Sequence, residues 1–219
     1  MRRRKRSAQG PAGKTGVRSP AAGTIDRPTG TRAVFLIGFM GAGKTSVGRA
    51  LGERLGWAFE DLDERIERRE RRTVPEIFRE SGESEFRRAE HAALKELFSE
   101  LSAGAEKIVA LGGGAFVQEH NARLIEAASV PTVFLDADVE ELWRRCREQR
   151  TERPLLGSLE SFRSLCEARR PHYLKTLLRQ ETSGKTIEEI AAEVVRALGL
   201  DQESGRDLKR IRGRRGEKQ

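Results

Sequence analysis

The segment Gly38-Phe39-Met40-Gly41-Ala42-Gly43-Lys44-Thr45 sets glycines, a lysine and a hydroxyl residue at G-x-x-x-x-G-K-[ST] spacing, directly after an apolar run and at the start of a helical pattern. Glycines let the backbone curl until several N–H groups point at phosphate oxygens, and the positive end of the following helix adds to that field. Lys44 is placed to neutralise the β and γ phosphates of a nucleotide, and the Thr45 hydroxyl to ligate Mg²⁺. The chain carries its own comparison, because Ala12-Gly13-Lys14-Thr15 repeats Ala42-Gly43-Lys44-Thr45. That copy has Ala8 where the leading glycine belongs, no strand pattern before it and no helical pattern after it, so it is assigned no function.

A second cluster, Phe59-Glu60-Asp61-Leu62-Asp63, follows the second apolar run. The i, i+2 spacing turns both aspartates to one side of an extended segment. There they could hold water ligands of Mg²⁺ and accept a hydrogen bond from a substrate hydroxyl. Taken alone, the pair is better explained as a solvated turn with an aspartate helix cap, and it gains meaning only beside the phosphate loop.

Chemistry of this kind needs a scaffold that brings several loops to one rim. From residue 33 the chain alternates short apolar runs with longer amphipathic stretches, the pattern of repeated βα units around a mostly parallel sheet. Strands are predicted at 33–37, 57–59, 107–111, 132–135 and 176–178, and helices at 44–55, 62–80, 84–102, 119–128, 138–148, 159–175 and 186–198. Pro75 is expected to interrupt the second helix and Pro171 to start or kink a turn late in the sixth. Ligands of open parallel sheets sit beyond the carboxyl ends of the strands, which directs attention to the loops after residues 37, 60, 111 and 135.

The formal charge of +8 over 219 residues first suggests a nucleic-acid partner. Its distribution argues otherwise: residues 1–32 hold nine Lys/Arg against Asp26 alone, residues 201–219 hold seven against four acidic residues, and the body between holds 26 basic and 29 acidic residues. Both tails lack the apolar content that offsets ordering entropy and are expected to be disordered, leaving one domain at 33–200. The composition of the first tail also admits an organelle transit peptide, but no apolar region follows Arg6 as a secretory signal requires, and no run approaches a membrane span. Cytoplasm is the expected compartment. Cys146 and Cys166 form no C-x-x-C, and His91, His120 and His172 show no metal spacing. The charge-dense stretch 63–72 is expected to be a solvated helix face, self-paired through Glu64 with Arg68 and Glu67 with Arg71. Trp57 and Trp143 belong to apolar runs and are expected in the core.

Over residues 33 to about 198 the chain resembles shikimate kinase. The resemblance rests on Gly41-Ala42-Gly43-Lys44-Thr45-Ser46 with Gly48, on Asp61-Leu62-Asp63 with Ile66-Glu67, on Phe86-Arg87-Arg88-Ala89-Glu90, on Gly112-Gly113-Gly114, on Arg153-Pro154-Leu155-Leu156 and on Arg169-Arg170-Pro171-His172-Tyr173, six motifs in order. It implies an α/β fold of the P-loop, nucleoside-monophosphate-kinase-like kind, with a five-stranded parallel sheet flanked by helices on both faces. It further implies a monomeric kinase that uses ATP and Mg²⁺ to phosphorylate the 3-hydroxyl of shikimate, with no membrane or nucleic-acid partner.

The same resemblance distributes roles. Gly41, Ala42, Gly43, Lys44, Thr45 and Ser46 would hold the nucleotide, and Thr45 with Asp61 the metal. Asp63 would position or deprotonate the acceptor hydroxyl. Arg87, oriented by Glu90, and Arg169 resemble carboxylate-binding arginines, whose planar forks suit bidentate pairing. Gly112, Gly113 and Gly114 would bring backbone close to the acceptor. Arg153 would act from a lid at about 147–158, stabilising charge on the transferring group. On the adenine side Lys185 is a candidate, and Arg144, Arg145, Arg147 and Arg150 compete for a stacking role. Two rivals stand beside this: a different small-molecule kinase such as a gluconate kinase, and a nucleotide-regulated nucleic-acid binder acting through the tails.

Overall fold

The structure, a computed structural model, describes residues 33–148 and 157–200. The tails at 1–32 and 201–219, and the central part of the expected lid with Arg150 and Arg153, lie outside the described residues. Within them one parallel sheet forms from β1 (Ala33–Ile37), β2 (Ala58–Asp61), β3 (Lys107–Ala110), β4 (Thr132–Asp136) and β5 (Leu178–Glu181), in the order β2-β3-β1-β4-β5. The helices are α1 (Lys44–Leu55), α2 (Leu62–Glu70), α3 (Val74–Ser102), α4 (Glu119–Ala127), α5 (Val139–Glu148), α6 (Leu159–Tyr173) and α7 (Ile187–Ala197). A 3₁₀ turn spans Ala115–Val117. β1 and β4 are buried at every position, which is why they read as unbroken apolar runs.

Two strands start later than the apolar pattern implies. Gly56, at φ 72°, ends α1, and the Trp57 N–H is used to close that turn on the Gly52 carbonyl, so pairing begins at Ala58 and runs through Glu60 and Asp61. The charge of Glu60 is tolerated in a strand because Lys107 on β3 donates to it at 2.6 Å and Arg65 on α2 at 2.9 Å; Glu100 of α3 joins the same cluster. Arg68 reaches Glu60 as well as Glu64, while Glu67 accepts from the Val74 N–H, so the expected i, i+4 pairing of α2 is only partly realised. β5 is a sheet edge of sequence Leu-Arg-Gln-Glu, with little apolar signal to betray it. Thr176 and Leu177 precede it in a turn bonded to Tyr173 and Thr132.

Pro75 does not interrupt a helix; it sits in the first turn of α3, where its missing N–H costs nothing. The boundary is made by Thr73 and Glu76, which form a reciprocal capping box. The predicted helix at 84–102 is the second part of α3, which bends at Gly82 (φ 78°, ψ 176°). Pro171 lies inside α6, which ends two residues later at Tyr173. The remaining helices match their predicted spans to within two residues.

The main core runs along the sheet through Phe35, Leu36, Leu51, Ile66, Leu94 and Leu97, all fully buried. Trp57 and Trp143 are partly buried against it, and Cys146 and Cys166 are buried free thiols. Helix α1 approaches β2 closely through two glycines one turn apart. A Cβ on Gly48 would lie 2.3 Å from the Phe59 ring, and one on Gly52 2.8 Å from the Trp57 carbonyl oxygen. Gly48→Ala and Gly52→Ala are each expected to cost about 1–3 kcal/mol by overpacking. Urea denaturation reads this directly, and wild-type stability in both variants would refute the close approach.

Candidate active site

The phosphate loop joins β1 to α1. Gly41 and Gly43 hold left-handed conformations (φ 80° and 88°), and a Cβ on Gly41 would strike the Leu142 carbonyl at 2.6 Å. Ala42 is buried under the loop and Ser46 is exposed beyond it. Lys44 Nζ curls back to donate to the Gly38 and Phe39 carbonyls at 2.9 and 3.2 Å. The lysine charge is thereby held over the loop that precedes it.

The two aspartates do not meet across an extended segment as their spacing implies. Asp61 is the last residue of β2 and the N-cap of α2, its Oδ1 accepting from the Asp63 N–H at 3.0 Å, whereas Asp63 lies in the first helical turn. The helix-cap and site interpretations therefore describe the same residue. Asp61 Oδ2 accepts from Thr45 Oγ1 at 3.3 Å, which ties the acidic cluster to the phosphate loop. Asp63 Oδ1 is buried and has no hydrogen-bond partner among the described residues. Burial pushes the Asp63 carboxyl up to about 6, helped by Asp61 and Glu67 and opposed by Lys44 and Arg87.

In the sheet, β3 lies between β1 and β2, so the loop after β3 separates the phosphate loop from Asp63. That loop is Gly112-Gly113-Gly114, and each glycine faces a different group. A Cβ on Gly112 would lie 2.6 Å from Asp63 Oδ1, one on Gly113 3.2 Å from an Arg169 guanidinium nitrogen, and one on Gly114 2.6 Å from an Arg87 nitrogen. The absence of side chains is what allows one carboxylate and two guanidinium groups to line a common space.

Arg87 is gripped from two sides. Its Nε and one terminal nitrogen donate to Glu83 at 3.2 and 3.1 Å, and the other terminal nitrogen donates to both oxygens of Glu90 at 3.2 and 3.1 Å. Glu90 is fully buried, and burial pushes its carboxyl up to about 7 despite the pull of Arg87. Arg169, on α6, lies over the Phe39 ring at 5.7 Å. Four residues on, the Tyr173 hydroxyl donates to the Gly113 carbonyl at 2.5 Å, and burial raises that phenol to about 12.

Lys44, Asp63, Arg87, Gly112 to Gly114 and Arg169 are thus brought to one rim, with Thr45 and Asp61 beside them. Arg153 lies outside the described residues. Lys185 is part of a separate loop, its ammonium on Glu193 at 2.5 Å. Among the adenine-side candidates, Arg145 donates to Thr182 in that loop, and Arg144 pairs with Glu148. No group of three or more His, Cys, Asp or Glu among the described residues could hold a metal by itself. Sequence reasoning missed Glu83, Phe39 and the Tyr173 clamp. The i, i+4 spacing of Glu83 and Arg87 was the available signal for the first; nothing local announces the other two.

The shikimate kinase family model matches residues 40–199. A shikimate kinase of Cereibacter sphaeroides is 42% identical over 170 residues, covering 76% of this chain and 82% of that protein. One from Geobacter metallireducens is 41% identical over 177 residues, covering 80% and 96%. Among solved structures, a shikimate kinase from Acinetobacter baumannii in complex with shikimate aligns with a TM-score of 0.71 at 33% identity, covering 79% of this chain and 95% of that one. A gluconokinase from Sinorhizobium meliloti aligns with a TM-score of 0.51 at 19% identity, covering 82% and 97%, a likeness of fold alone.

The Asp63 carboxyl has a direct consequence for stability. Its folded value of about 6 exceeds the ordinary 3.8, so the fold favours the protonated form; that contribution is full below about pH 4 and is lost as pH rises through 6. Asp63→Asn, permanently neutral, is therefore expected to be more stable than wild type at pH 8, by at most about 3 kcal/mol, and to melt higher there, with the gap closing toward pH 4. Thermal melts at both pH values test this, and a variant less stable than wild type at pH 8 would show that the ionised carboxylate is not a burden on the fold.

Proposed function

The chain belongs to the shikimate kinase family, and on that premise we propose that it transfers the γ-phosphoryl group of ATP to the 3-hydroxyl of shikimate, giving shikimate 3-phosphate on the route to chorismate and the aromatic amino acids. One observation carries the assignment of the acceptor site: Asp63 Oδ1 is buried against Gly112 with no hydrogen-bond partner among the described residues. A buried acceptor left open calls for a donor, and a substrate hydroxyl supplies one. Arg87 and Arg169 line the same space and suit the single carboxylate of shikimate.

The loop from Gly38 to Thr45 holds the β and γ phosphates through backbone N–H groups, and Lys44 neutralises their charge. Asp63, poised between charged and neutral forms, accepts the hydrogen bond of the acceptor hydroxyl and takes its proton as the phosphorus–oxygen bond forms. Phosphoryl transfer asks mainly for positioning and charge neutralisation, so a carboxylate of this strength suffices. Thr45 and Asp61, 3.3 Å apart beside the phosphate loop, fit the Mg²⁺ that accompanies ATP: one hydroxyl oxygen for direct ligation and one carboxylate for its waters. When bound, that ion neutralises charge on the β and γ oxygens. Arg153 is assigned the corresponding role from the lid side, and Ser46 and Lys185 a place along the nucleotide. The catalytic domain is 33–200, which a chain trimmed to 31–200 would retain. No helix among the described residues is long and apolar enough to cross a membrane. We place the enzyme in the cytoplasm as a monomer.

An ADP-release assay across shikimate, gluconate and nucleoside monophosphates is expected to show turnover with shikimate alone; preference for either of the others would reassign the acceptor. Lys44→Ala is expected to lower kcat by orders of magnitude while the fold persists by circular dichroism, and Arg169→Ala to raise chiefly the KM for shikimate. For wild type, kcat/KM for shikimate is expected to climb between about pH 5 and 7 as Asp63 ionises. A profile flat from pH 5 to 8 would remove Asp63 from the proton's path.

A further inference from the structure

Arg169 carries the acceptor carboxylate in the proposed function, yet the helix that bears it is weakened where Arg169 sits. Pro171 lacks an N–H, so the Glu167 carbonyl loses its intrahelical bond in the last turns of α6. Something outside the helix must fix the direction in which Arg169 points. The residue after it supplies that anchor. Both terminal nitrogens of Arg170 donate to Asp136, at 2.7 and 2.6 Å, one to each carboxylate oxygen.

Asp136 is the last residue of β4 and is almost fully buried, in the central part of the sheet next to β1. Its second oxygen also accepts from Arg179 Nε of β5 at 2.7 Å. Arg170 further lies over the Phe134 ring at 5.9 Å, so the fork is held in plane as well as at its tips. Successive residues on a helix project about 100° apart. With Arg170 fixed on β4 and the Tyr173 hydroxyl fixed on Gly113, the rotation of α6 about its own axis is set at two points. Arg169 is then presented on the side of α6 that faces Phe39 and Gly113.

We propose that the two-pronged Asp136–Arg170 pair is a positioning device for Arg169, orienting it for the acceptor carboxylate without touching the substrate. The proposal rests on the functional assignment above, and it distinguishes two arginines that share one carboxylate. Arg170 belongs to α6 and transmits the position of β4 to Arg169. Arg179 belongs to β5, and its polar partners among the described residues are Asp136 and Glu181, neither of them on α6.

The test is steady-state kinetics on the full chain, varying shikimate and ATP separately, for wild type, Arg170→Ala, Arg170→Lys and Arg179→Ala. Arg170→Ala is expected to raise the KM for shikimate roughly tenfold while the KM for ATP stays within about twofold. Arg170→Lys, which keeps the charge but cannot grip both oxygens, is expected to fall between wild type and the alanine variant. Arg179→Ala is expected to leave the KM for shikimate within about twofold of wild type. Three results would overturn the idea: an unchanged shikimate KM in Arg170→Ala, an equal rise in the KM for ATP, or an equal rise in Arg179→Ala. If Arg170→Ala does not fold, Arg170→Lys decides alone, and a wild-type shikimate KM there rejects the device. Wild-type turnover is read first; a chain that does not phosphorylate shikimate removes the functional assignment and this proposal together, whereas active wild type with indifferent variants removes only the latter.

Discussion

A carboxylate taken out of water must find compensation nearby, and the site is built around how little Asp63 finds. Among the described residues one of its oxygens has no hydrogen-bond partner, its acidic neighbours Asp61 and Glu67 repel its charge, and Lys44 and Arg87 favour it. The result is a group whose ionisation is displaced toward neutrality while one oxygen faces Gly112, where the proposed function puts the acceptor hydroxyl. A fully solvated aspartate would already be satisfied by water, and one with a direct ion pair would be too weak a base to attract a hydroxyl proton. Partial compensation is what leaves the group reactive.

Topology explains why this arrangement can exist. The chain passes from β1 to β2 across a gap that β3 later fills, so the loops assigned above to donor and acceptor are next-nearest neighbours in the sheet. The intervening loop lies between them, and a side chain there would crowd Asp63, Arg87 or Arg169. Glycine at 112 and 114 therefore leaves Asp63 and Arg87 in their observed positions, and glycine at 113 leaves room for the Arg169 guanidinium. Backbone freedom has no part in it, for none of the three has a positive φ. The same loop returns a carbonyl to Tyr173, which makes it a support for α6 as well as a neighbour of Asp63.

Much of this was legible in the residues. The phosphate loop announces itself through spacing and context, and four of the five strands announce themselves through apolar runs; β5 was placed two residues early because an edge strand of Leu-Arg-Gln-Glu has no apolar pattern to find. The break between α2 and α3 was misplaced onto Pro75, although Thr73 and Glu76 spell a capping box that marks the true start. Asp61 and Asp63 do lie together, but a helix cap and not strand alternation joins them. What the sequence could not display is pairing across distance. Nothing near Asp136 in the chain points to Arg170, 34 residues away, or to Arg179, 43 away.

The two arginines expected at the acceptor carboxylate are held by different means, and the difference bears on how much charge each can offer. Arg87 is fixed by two carboxylates, an arrangement that would cancel its charge if both were fully ionised. Glu83 is exposed, so water screens its hold; Glu90 is fully buried, and burial lifts its carboxyl to about 7. Near neutral pH Glu90 is thus only partly charged. It orients the guanidinium by hydrogen bonding while leaving part of the positive charge uncancelled. Arg169 reaches the same end by another route, with the face of Phe39 beneath it and a separate ion pair steering its helix. Fully ionised, buried carboxylates on both sides of Arg87, or one against Arg169, would have left less positive charge for an incoming anion. The structure orients both through contacts that only weakly compete with the substrate.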